Sequence, residues 1–143
     1  MTHQTALTEF IHFCEHLSRD NTSGFAGLYT ADAFFKDPFN EVRGHADIIK
    51  IFDHMFIKLD APRFVVTHSM LQNDEAFLVW DFQFYFKGNN TKIQKIRGST
   101  HLRFSPEHKV EYHRDYWDAA EEVYEKIPLL GGLMRLLKRM AQK

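Results

Sequence analysis

In AFLVWDFQFYF, residues 76–86, large apolar side chains recur at every second position: Leu78, Trp80, Phe82, Phe84 and Phe86. Asp81, Gln83 and Tyr85 stand between them. A period of two belongs to a strand whose alternate side chains share a face, one face apolar and the other mixed. RFVVTHSML (63–71) precedes this segment, and a turn at KGNN (87–90) follows it. Then come KIQKIRGSTHLRF (92–104), a second turn at SPEHK, and VEYHRDYW (110–117). Strands of this length, punctuated by Gly, Asn and Pro, predict an antiparallel meander. Parity sorts the later strands too. Gly98, Thr100, Leu102 and Phe104 share one face, and His113, Asp115 and Trp117 another. Arg97, Ser99, His101 and Arg103, with Tyr112, Arg114 and Tyr116, point the opposite way.

Upstream of the meander the period changes. LTEFIHFCEHL (7–17) places Leu7, Phe10, Ile11, Cys14 and Leu17 at helical spacing, with Thr5 or Thr8 able to cap it. FAGLY (25–29) reads as a short second helix. AFFKDPF (33–39) reads as a short strand ending at the proline, because the residue before proline is pushed to extended geometry. HADIIKIFDHMFIKL (45–59) is a third helix with Ile48, Ile49, Phe52, Met55, Phe56 and Leu59 on one face. DAAEEVYEKI (118–127) restarts a helix, with Asp118 and Glu121 in capping-box spacing. Pro128 and the Gly131–Gly132 pair are expected to interrupt it before LMRLLKRM. Helices first and then a sheet is an α+β layout.

The 143 residues suit one domain, 1–143, with 119–143 as a helical tail. A formal net charge of -1 argues against nucleic acid as partner. Fourteen Phe residues supply a cavity lining as well as a core. The single Cys14 excludes an internal disulfide and fits a reducing, cytoplasmic setting. No apolar run approaches the roughly 18 residues that span a bilayer.

The order of elements, AFFKDP followed by a glycine and a helix, and the HRDYWD strand together resemble the nuclear transport factor 2-like superfamily. Ketosteroid isomerase and the SnoaL-like polyketide cyclases are the similar branches. The resemblance implies three helices across a strongly curved, mainly antiparallel sheet, forming a cone with an internal pocket. It puts Asp37 at the isomerase's general base. The isomerase's oxyanion-binding tyrosine and protonated aspartic acid fall on Phe13 and Thr100, so that acid pair is absent. HRDYWD is also similar to limonene epoxide hydrolase, whose catalytic aspartate is matched by Asp115. The hydrolase's arginine and second aspartate fall on Trp80 and Phe82, and its water-positioning tyrosine and asparagine on Phe35 and Asp37.

The expected site therefore has Asp37 as base, Asp115 with His113 as acid–base partner, and Thr100 donating to a substrate oxygen. Phe13, Phe35, Phe56, Trp80, Phe82, Phe84, Leu102 and Trp117 would line the pocket. The function implied is proton transfer on a small apolar, oxygen-bearing molecule, as in an isomerase, dehydratase or cyclase. No metal or cofactor is expected, and the family likeness implies a homodimer through the outer sheet face. The alternative is a non-catalytic domain of the same fold that binds a hydrophobic ligand or a second subunit.

Other spellings carry less. HFCEH (12–16) has the form of a zinc motif, but its His12, Glu15 and His16 lie on the polar side of a helix with no third distant ligand evident. HRD lacks the Gly-rich loop and DFG of a kinase. NNT (89–91) is a glycosylation sequon in spelling only. The tail's Leu and Met residues, set against Arg135, Lys138, Arg139 and Lys143, are read as covering the domain or a second subunit, ahead of membrane contact.

Overall fold

A computed structural model describes residues 1–122 and 128–142. Helix α1 (His3–Glu15) begins two residues after the N-terminus because Thr2, rather than Thr5 or Thr8, caps it: its hydroxyl accepts from the Thr5 N–H at 3.1 Å. Ala6, Leu7 and Phe10 are the buried stripe of this helix. A 3-10 turn, Thr22–Gly27, replaces the expected second helix and ends before Tyr29. Strand β1 (Tyr29–Lys36) stops immediately before Asp37–Pro38 and folds back on β2 (Glu41–Arg43), a strand too short for the sequence pattern to reveal. Helix α2 (His45–Lys58) buries Ile48, Phe52 and Phe56, one per turn.

The meander follows as β3 (Leu59–Gln72), β4 (Glu75–Phe86), β5 (Asn89–Phe104) and β6 (Val110–Tyr116). All six strands form one sheet in the order β2-β1-β6-β5-β4-β3, antiparallel except for the parallel β1–β6 pair. That parallel pair brings the end of the first strand beside the last one. Register shifts between Asp60 and Arg63 and between Val66 and His68 bend β3, and Ala61 takes up a left-handed φ of 49° at the first of them. At the second, Glu15 Oε2 accepts from the Val66 N–H at 3.0 Å and ties α1 to the sheet. The result is a curled sheet wrapped around Leu7, Phe10, Phe25, Phe35, Ile48, Leu102 and Phe104.

The alternation read from β4 holds for Leu78, Trp80, Phe82 and Phe84, all buried, but Phe86 at the strand's end is 49% exposed. On the outer face, Phe77 and Val79 are 44% and 40% exposed. Phe77 stacks on His101, and Phe34 on Tyr112. The chain continues into a short helix α3 (Ala119–Glu122), whose Glu121 N–H is capped by Asp118 Oδ1. The rest of the helix expected through Ile127 lies outside the described residues. Helix α4 (Pro128–Ala141) runs through Gly131–Gly132 without a break. Pro128 stands at the first position of this helix, where its missing N–H costs nothing. Among the described residues, no helix is long and apolar enough to cross a membrane.

Candidate functional site

Cross-strand register builds the centre of the site. Thr100 of β5 faces Asp115 of β6, and Leu102 faces His113. On the next strand Trp80 lies opposite Gly98. A side chain at 98 would strike the indole: an ideal Cβ there lies 2.4 Å from Trp80 Cη2. Glycine thus lets the ring lie across β5, and Trp80 Nε1–H donates to Thr100 Oγ1 at 2.8 Å. The Thr100 hydroxyl donates in turn to Asp115 Oδ1 at 2.6 Å. His113 Nε2 meets the same oxygen at 2.7 Å, and the Tyr29 hydroxyl meets His113 Nδ1 at 2.7 Å. Five side chains from β1, β4, β5 and β6 form one continuous chain of hydrogen bonds.

Tyr29, Thr100 and His113 are buried, whereas the Asp115 side chain keeps 16% of its surface. That residual surface opens onto a cavity of about 830 Å³. Phe35, Phe64, Trp80, Phe82, Phe84 and Trp117 line it, and Asp37 and Asp115 belong to its wall. A second cleft of about 450 Å³ shares Asp37, Asp115 and Trp117 with the first, so both carboxylates stand between the two openings.

Asp37 is half-buried and held by its own turn. Its Oδ1 accepts from the backbone N–H groups of Phe39 (2.8 Å) and Asn40 (2.7 Å) and from Asn40 Nδ2 (3.1 Å). Its own N–H donates to the Asn40 carbonyl. This is the turn that DPFN favours, with an aspartate side chain satisfying the backbone just ahead of it. The same residue thus closes a turn and faces the cavity.

The structure redistributes the expected lining. Phe35, Trp80, Phe82, Phe84 and Trp117 reach the cavity with Asp37 and Asp115. Phe13 does not, because its ring packs against Gly24 and the buried Phe25. Phe56 and Leu102 are core residues away from the lining. His113 and Thr100 sit behind Asp115, and the expected Thr100 bond to a ligand is corrected: its hydrogen is committed to Asp115. Tyr29 is the member of this hydrogen-bonded cluster that sequence reasoning missed. Read as the end of a helix, it carried no strand parity, and its partner lies 84 residues away.

Burial, then the negative charges of Asp115 and Glu15, raise the Cys14 thiol above its ordinary value of 9.0. Burial, with Cys14 and Asp115, raises the Tyr29 phenol well above 10.0. Both groups are therefore neutral in the fold at pH values where the unfolded chain ionises. The sign follows. Their contribution is intact below about pH 9 and is lost as pH rises, by up to about 1.4 kcal/mol per pH unit for each group. Urea unfolding between pH 7 and 10.5 should show wild type losing stability over the upper part of that range. Cys14→Ala should lose visibly less, and equal slopes would contradict the assignment.

The HFCEH residues do not gather a metal site. Glu15 is turned to β3, and the His12 and His16 rings stack at 4.1 Å. Among the described residues, no group of three His, Cys, Asp or Glu side chains is placed to hold a metal ion.

The family profile of the SnoaL-like domain matches residues 10–113. The chain belongs to the SnoaL-like family. Its fold is that of the nuclear transport factor 2-like proteins, as known structures show. A hypothetical protein with a ketosteroid isomerase-like fold from Catenulispora acidiphila, solved in complex with trimethylamine, superposes with a TM-score of 0.71 at 14% identity, over 82% of this chain and 88% of that one. A putative SnoaL-like polyketide cyclase from Jannaschia sp. gives 0.71 at 11% identity, over 83% and 87%. An epoxide hydrolase of the limonene epoxide hydrolase type from M. tuberculosis gives 0.66 at 12%, over 94% of both chains. Among curated protein sequences nothing matches this SnoaL-like chain.

Proposed function

We propose that this SnoaL-like protein catalyses proton transfer on a small, largely apolar, oxygen-bearing molecule held in the aromatic cavity. The observation that carries the reading is Asp115, fixed from behind by Thr100 and His113 through one oxygen while the residue borders the cavity. An oriented carboxylate in a mostly apolar cavity is what a general base requires. Asp115, rather than Asp37, is the group we assign as proton acceptor, with His113 as its orienting partner. Asp37, in the same wall, is the second carboxylate able to carry a proton. Isomerisation, dehydration and aldol-type cyclisation all begin with removal of a proton from carbon; the proton is then delivered to another carbon in the first, to the hydroxyl that leaves as water in the second, and in the third to the alkoxide made when the new carbon–carbon bond forms. The fold shared with a polyketide cyclase and an epoxide hydrolase supports a cavity used for catalysis.

The test is a panel of apolar aryl β-hydroxy ketones, whose dehydration to conjugated enones is followed by absorbance. Acceleration by wild type is expected, with kcat/KM falling about 10²–10⁴-fold in Asp115→Asn. Rates that are the same for wild type and Asp115→Asn would overturn the assignment. A second reading, a ligand carrier of the same fold, draws support from Phe13 and Thr100, which leave the site without the isomerase's donor pair. It is separated by the same panel: binding without turnover of any member.

A further inference from the structure

The hydrogen-bond inventory of the site has a direction. Tyr29 is buried, and its hydroxyl lies 2.7 Å from His113 Nδ1. A buried hydroxyl hydrogen must find an acceptor, so His113 carries its own hydrogen on Nε2 and donates it to Asp115 Oδ1. Indole is a donor only, so Thr100 Oγ1 accepts from Trp80 and its hydrogen also goes to Asp115 Oδ1. Every hydrogen in the cluster converges on one carboxylate oxygen. Asp115 Oδ2 has no hydrogen-bond partner among the described residues, and neither Asp115 nor Asp37 pairs with a Lys or Arg there. Asp37 offers the cavity oxygens alone. Of the side-chain donors that line the cavity, Lys50, His54 and Lys58 sit on the exposed face of α2, Trp80 Nε1–H is committed to Thr100 and Asn40 Nδ2 to Asp37, which leaves the Trp117 indole N–H. At Asp115 and Asp37 the wall thus presents carboxylate acceptors among aromatic faces.

We infer that the cavity recognises its ligand through a hydrogen-bond donor on the ligand, an O–H or N–H set against Asp115 Oδ2. It discriminates against acceptor-only molecules of the same shape, and Tyr29 is the residue that fixes this polarity. The inference rests on the cavity being the binding site, and is independent of whether turnover follows. A carbonyl placed against Asp115 sets acceptor against acceptor and leaves both desolvated without a bond. A hydroxyl in the same place makes a charge-assisted bond.

The protein carries its own reporter, since Trp80 and Trp117 are the two tryptophans of the chain and both line the cavity. Intrinsic fluorescence is titrated with adamantanone and with the secondary alcohol made by reducing its carbonyl, two probes of one shape. The alcohol is expected to bind wild type about tenfold more tightly or better. In Asp115→Asn the amide oxygen is kept by Thr100 and His113, which turns the amide N–H₂ toward the cavity. The preference should then invert in favour of the ketone, while Tyr29→Phe, which frees the imidazole tautomer, should erode the wild-type preference. Equal binding of the two probes by wild type, or tighter binding of the ketone, overturns the inference and leaves the binding-site reading standing. Failure of both probes to change the fluorescence overturns the two together.

Discussion

His113→Ala is expected to lose about 3–5 kcal/mol of folding stability, more than any single polar substitution at the surface. The imidazole is buried among Phe10, Phe35 and Tyr29, with ring centroids 4.7–6.0 Å away. Truncation opens a void against three aromatic rings. It also leaves the Tyr29 hydroxyl without its acceptor and takes one of two donors from Asp115. An unsatisfied buried hydroxyl costs about 1–3 kcal/mol beyond the lost packing. Urea denaturation of His113→Ala, Tyr29→Phe and the double variant separates the two contributions. Once the hydroxyl is gone, alanine at 113 should cost visibly less, a coupling of about 1 kcal/mol or more. Strict additivity would mean that the Tyr29–His113 bond carries no weight.

Gly98→Ala is the second large effect, and it comes from one methyl group. The added Cβ would fall 2.4–2.9 Å from three indole atoms of Trp80, far inside contact distance. Either the strand or the ring must move, and such overpacking costs about 1–3 kcal/mol. Because the indole N–H supports Thr100, a displaced ring also removes one donor from the chain that ends on Asp115. Denaturation should show the loss, with a change in tryptophan emission in the native state. Trp80→Phe in the Gly98→Ala background should recover part of it, since the smaller ring vacates the contested space. If the alanine variant is as stable as wild type with unchanged emission, the close packing of Trp80 on β5 is wrong.

Much of the architecture was legible because it depends on periodicity. The two-residue alternation of β4 and β5 and the helical stripe of α2 are set by which side chains must leave water, and they survive in the structure. The aspartate before Pro38 was legible for the same kind of local reason: proline ends the strand, and a short carboxylate side chain closes the turn. Parity also placed His113 and Asp115 on one face of β6, with Trp117 just beyond its end.

The polar chain was only half legible. Thr100, His113 and Asp115 were chosen as candidates, yet their order and direction were not, because hydrogen-bond polarity depends on partners that sequence distance conceals. Tyr29 needed the parallel β1–β6 pairing, which no local pattern encodes. Phe13 and Phe56 show the converse: a helical position beside the right strand is not a position facing the cavity, since helix rotation is set by what packs behind it. What the sequence alone determined was therefore the elements, their inner faces and the turn that carries Asp37, all consequences of local sterics and apolar periodicity. The tertiary structure decided which inward residues meet one another, that Asp115 rather than Thr100 opens on the cavity, and which polar groups share a hydrogen bond. Those outcomes belong to strand order and register, which are fixed when the whole core closes and not by any one segment.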